Sequence, residues 1–79
     1  MIVRLKLIAT YIKLLPAGTK GNIIDIEVVP GSTLENILSQ FNVPMDDSSV
    51  VLLNGFTVSL DTQLSNGDTI SAFSAIAGG

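Results

Sequence analysis

The chain has 79 residues, 47% of them hydrophobic, with no cysteine, no histidine and a formal net charge of -3. That is one domain near the lower size limit for unaided folding, with no disulfide or thiolate metal site to staple it. Without His and Cys it lacks the usual proton shuttle, the thiol nucleophile and the commonest zinc ligands, so a self-sufficient enzyme is not expected.

The acidic balance argues against a nucleic-acid partner, which wants a basic face. The cations Arg4, Lys6, Lys13 and Lys20 all lie in the first quarter. Arg4, Lys6 and Lys13 interrupt the apolar start, so it does not read as a signal peptide. No stretch approaches the roughly 18 uninterrupted apolar residues of a membrane span. The expectation is a soluble cytoplasmic protein with no membrane partner.

In chain order, Val3, Leu5 and Leu7 alternate with Arg4 and Lys6, the period of a half-buried strand. A glycine-punctuated loop through Pro16, Gly18 and Gly21 follows. Ile24, Ile26 and Val28 then alternate with Asp25 and Glu27, predicting a second strand in a hairpin whose charged faces meet. Pro30-Gly31 ends it. Ser32-Thr33-Leu34-Glu35 reads as a capping box with Ser32 as the cap. Leu34, Ile37, Leu38 and Phe41 form one apolar helical stripe, stopped by Asn42 and Pro44 and expected to pack on a sheet.

Asp46 and Asp47 lack further ligands for a cation and read as a solvated turn. Val50-Val51-Leu52-Leu53, a continuous apolar run, predicts a central strand buried on both faces. Asn54-Gly55 is a strong hairpin signal, with Phe56-Thr57-Val58 as the expected return strand. Leu64, a Ser65–Asp68 turn and a last strand over Thr69–Ser74 complete the body. The predicted fold is α+β: a mixed four- to five-stranded sheet with one main helix packed across it, the first and last strands adjacent at its centre. The expected organisation is a domain over 1–74 and a flexible tail over 75–79.

The sequence closes on Gly78-Gly79. Two residues without Cβ make a thin strip of backbone that can be threaded into a narrow channel where a side chain would clash.

Together these segments resemble the β-grasp, ubiquitin-like sulfur carriers of the molybdopterin-synthase small-subunit and thiamine sulfur-carrier group. The likeness runs through Val3–Leu7, Ala9–Leu15, Ile26–Leu34, Val51–Gly55 and Leu64–Phe73 to Ile76-Ala77-Gly78-Gly79. The long first loop resembles the molybdopterin branch, and the ending Ala75-Ile76-Ala77 the thiamine branch at least as much. The loop spans more residues, so the reading leans to molybdenum or tungsten cofactor synthesis.

The resemblance implies a carrier with no catalytic residue, metal or bound cofactor of its own. An E1-like adenylating enzyme would use Mg-ATP on the Gly79 carboxylate. A sulfur donor protein would convert it to a thiocarboxylate, which would serve a synthase large subunit or a thiazole synthase. Gly79 would carry the sulfur, Gly78 would permit passage, and Ala77, Ile76 and Ala75 would enter behind. Phe73 and Phe56 are the candidates for an apolar docking patch opposite the helix. The rival readings are a ubiquitin-like protein modifier and a non-carrier β-grasp interaction module.

Overall fold

In the computed structural model, residues 1–76 are described. The elements are β1 (Ile2–Leu7), a 3-10 helix (Ala9–Leu14), β2 (Ile23–Glu27), α1 (Leu34–Gln40), β3 (Ser49–Leu53) and β4 (Thr69–Ser74). The four strands form one mixed sheet in the order β2-β1-β4-β3, with β1 and β4 parallel at its centre. This is the ubiquitin-like β-grasp predicted from the sequence, in its four-stranded form.

Period-2 alternation decides which side chains fill the core. Val3, Leu5 and Leu7 of β1 and Ile70 and Ala72 of β4 are all fully buried. They pack with Leu34, Ile37 and Leu38 of α1, so the helix covers one face of the sheet. The opposite face carries Arg4 beside Asp25, paired across the β1–β2 ladder with Nε to Oδ1 at 3.1 Å. Both side chains are more than half exposed, so the pair contributes only about 0.2–1 kcal/mol. Lys6 faces Ile23 and Glu27 faces Ile2, so the charged faces meet at this one pair among the described residues.

Three sequence expectations are corrected. The helix cap is Thr33, not Ser32: Asn36 N–H donates to Thr33 Oγ1 (3.3 Å), and Thr33 N–H donates to Asn36 Oδ1 (2.9 Å). Ser32 Oγ is already committed to the Val29 carbonyl at 2.7 Å, and the Glu35 amide goes to the Leu60 carbonyl. Next, β3 is an edge strand, and only its Leu53 is buried. The parallel β1–β4 pair occupies the centre, so the β3–β4 ladder can form only on the outer side of β4.

Finally, Phe56–Val58 is not a strand. The Asn54-Gly55 turn has φ of 53° and 87°, as the hairpin signal requires. Pairing ends at a single Leu53–Phe56 bridge, however. The chain then leaves the sheet to serve the helix: Leu34 and Glu35 N–H donate to the Thr62 and Leu60 carbonyls at 3.0 and 2.9 Å. Those first-turn amides have no partner within the helix, and loop carbonyls supply one.

Candidate functional site

Ile70 and Ala72 point into the core, so Ser71 and Phe73 lie on the open face of β4. The β3–β4 register sets Val50 opposite Phe73 and Leu52 opposite Ser71, and Lys6 of β1 lies beside Ser71 on the other side. Phe73, Val50 and Leu52 are each half-buried, leaving a small apolar patch on the uncovered side of the sheet with a lysine at its border. The apolar run of β3 therefore serves two purposes: Val51 and Leu53 face the core, while Val50 and Leu52 extend the patch around Phe73.

The chain leaves the sheet at the edge of this patch. Beyond Ser74 the ladder gives one more bond, Ala75 N–H to the Ser48 carbonyl at 2.9 Å. The Ile76 amide donates to Ser74 Oγ at 3.2 Å. Ala75 is exposed and Ile76 is 63% exposed, so the strip of chain projects clear of the core. Ala77, Gly78 and Gly79 lie outside the described residues.

Phe56 does not join the patch. It pairs with Leu53, whose side chain faces the core, so it lies on the helix side of the sheet. Its bridge partner Leu53 also lies three residues along β3 from Val50, about 10 Å away. At 72% exposure it is a separate apolar point at the far end of the sheet.

Sequence reasoning missed the support beneath the exit. Tyr11, in the 3-10 helix of the first loop, is 9% exposed, and its hydroxyl lies 2.6 Å from Ser49 Oγ and 3.3 Å from the Ser48 carbonyl. Asp46 accepts from the Ser48 amide at 2.9 Å and from Ser48 Oγ. These hydrogen bonds, the side-chain one first, hold its carboxyl below the ordinary carboxylate value. The available signal was that Tyr11 is the chain's single tyrosine. A buried phenol needs a polar partner, and the paired serines 48 and 49 were candidates.

Among the described residues no group of three His, Cys, Asp or Glu is placed to hold a metal ion, and no helix is long and apolar enough to cross a membrane. What the arrangement offers is a small apolar surface on the uncovered face of the sheet, with an exposed strip of chain leaving from its margin.

A family model described as the ThiS family matches residues 20–79. The chain belongs to the ThiS family. Its match includes β4, the exit strip and Gly78-Gly79. No curated protein matches this ThiS-family chain.

Among solved structures it is similar to SAMP1 from Haloferax volcanii, at 20% identity and a TM-score of 0.79 over 100% of both chains. It is also similar to a putative molybdopterin converting factor subunit 1 from Pyrococcus furiosus, at 21% identity and a TM-score of 0.75, covering 95% of this chain and 98% of that one. A third is a complex of subunits 1 and 2 of the molybdopterin-converting factor from Helicobacter pylori, at 22% identity and a TM-score of 0.61 over 100% of both chains. At these identities the likeness establishes the shared fold.

Proposed function

We propose that the chain is a cytoplasmic sulfur carrier whose Gly79 carboxylate is adenylated and then converted to a thiocarboxylate. The observation that carries the reading is the ThiS-family match, which runs from the first loop through Gly79. The exposed exit strip beside the Phe73 patch supports it.

A carboxylate is a poor electrophile. In the proposed sequence a Gly79 carboxylate oxygen attacks the α-phosphorus of ATP, pyrophosphate leaves, and the acyl carbon gains AMP as its leaving group. The terminal sulfur of a donor persulfide displaces AMP, and a partner thiol cleaves the resulting acyl disulfide to release the thiocarboxylate. An E1-like enzyme binds the Mg-ATP and supplies the catalytic groups. This chain contributes the docking patch and a tail able to reach the channel.

The molybdenum or tungsten cofactor branch is the preferred destination, with a synthase large subunit as acceptor. Its supports are the long first loop and the similarity to molybdopterin converting factor subunit 1. Delivery to a thiazole synthase uses the same tail chemistry. A second reading, conjugation of Gly79 to lysines of other proteins, is favoured by the likeness to a small archaeal modifier protein. A ladder of higher-mass covalent adducts in cell extract marks that reading, and its absence marks a carrier.

The test of the activation step is ATP–pyrophosphate exchange with the E1-like enzyme of the same organism. The 79-residue chain should support exchange, and Gly78→Leu should abolish it without shifting the melting temperature. Normal exchange by Gly78→Leu would contradict threading through a narrow channel.

A further inference from the structure

Three parts of the fold meet at Ser48, the first two at its carbonyl. The first is the exit strip, through the Ala75 amide at 2.9 Å. The second is the 3-10 helix, through the Tyr11 hydroxyl at 3.3 Å. The third is the turn before β3, where Asp46 accepts from the Ser48 amide and hydroxyl. With the Ser48 side chain and amide both committed to Asp46, its carbonyl is the group left to receive the other two.

The phenol has one proton. Placed on the Ser48 carbonyl, it leaves the Tyr11 oxygen to accept from Ser49 Oγ at 2.6 Å, so one hydroxyl ties down two consecutive residues of β3's entry. The helix bearing Tyr11 is itself tied to β4, because Ile8 N–H donates to the Ala72 carbonyl at 3.1 Å. Tyr11 thus closes a loop of contacts from β4 through the 3-10 helix and Ser48 back to the residue that follows β4.

We propose that Tyr11 is a positioning residue for the tail. Through Ser48 and Ser49 its hydroxyl fixes the direction in which the chain leaves the sheet after Ala75, and so lessens the ordering an activating enzyme must impose to seat the tail. The second part rests on the sulfur-carrier reading. The hydroxyl acts separately from the ring: the ring fills core space, and Tyr11→Phe keeps that filling while removing both hydrogen bonds.

The experiment combines amide hydrogen exchange on the 15N-labelled chain with steady-state adenylation by the E1-like enzyme. In Tyr11→Phe the Ala75 amide should exchange about fivefold faster, the factor expected for one lost neutral hydrogen bond. The Ile70 and Ala72 amides at the centre of β4 should keep their rates. The KM for the carrier should rise by a similar factor with kcat retained, a split that general loosening of the domain would not produce. Ser49→Ala should act in the same direction, and the double variant should add little, because the two groups serve one contact.

Unchanged Ala75 exchange in Tyr11→Phe would overturn the proposal, as would acceleration of Ile70 and Ala72 by the same factor. A wild-type KM in Tyr11→Phe would overturn its functional half. Failure of the unsubstituted chain to be adenylated would instead sink the carrier reading, and exchange at Ala75 would then decide the positioning role alone.

Discussion

Phe73 shows how much one side chain's orientation decides. Strand alternation ties it to Ile70 and Ala72: with those two in the core, Phe73 has to stand on the uncovered face, next to Val50. Burial of an aromatic by a partner is among the larger contributions at protein interfaces. Phe73→Ser should therefore cost the isolated domain about 1 kcal/mol or less, since the ring is half-exposed already. It should lower kcat/KM for adenylation at least about tenfold, the effect of losing an interface anchor. Thermal unfolding alongside adenylation kinetics separates the two, and a variant that melts early but is activated normally would remove Phe73 from the docking surface. Phe56, on the other side and at the other end of the sheet, should be nearly neutral in the same assay. One short strand leaves its phase open in the sequence, and the burial of Ile70 and Ala72 in the structure decides the face of Phe73. The role of Tyr11 is not legible either, because its partners lie 37 and 38 residues away and no local spacing marks them.

At the scale of elements, what could be read follows from whether side chains or backbone carry the information. β1, β2 and α1 declare themselves through their alternating or helical apolar positions, and the structure has them where the sequence puts them. The segment from Thr57 to Gln63 does not declare itself, because its role is to present the Leu60 and Thr62 carbonyls to α1, and carbonyls are common to every residue. The edge position of β3 was hidden for a different reason. An apolar run signals burial on both faces but cannot say whether a neighbouring strand or another protein provides it.

The cap was displaced by one residue because Ser32 and Thr33 are both good cap residues, and a tertiary contact, Leu64 N–H to the Ser32 carbonyl at 2.8 Å, selects between them. Thr33→Ala should destabilise the domain by about 0.5–2 kcal/mol in chemical denaturation, as loss of a cap does. Glu35→Ala, which the Ser32 capping box would have made equally costly, should be near neutral. A larger loss from Glu35→Ala than from Thr33→Ala would contradict the observed cap.

For the whole molecule, the parallel pairing of β1 with β4 has the main consequence. It places the last strand at the centre of the sheet, where Ile70 and Ala72 anchor it in the core, and sends the following residues out past the open-face patch. The tail is therefore attached to the most deeply buried part of the fold while the strip itself remains exposed at Ala75 and Ile76. The closing diglycine is visible in the sequence alone; the apolar patch around Phe73 and the Ser48 junction beside Ala75 needed the structure. A domain this small suffices if, as proposed, its work is to present the Gly79 carboxylate to other proteins.

Whether Gly79 carries sulfur, as proposed, is decided by intact-mass spectrometry. The untagged chain is incubated with Mg-ATP, a sulfide source and the E1-like enzyme of its organism. A mass gain equal to replacement of one oxygen by sulfur is expected, localised to Gly79 by fragmentation. An unchanged mass, with an enzyme preparation that thiolates another carrier, would contradict it.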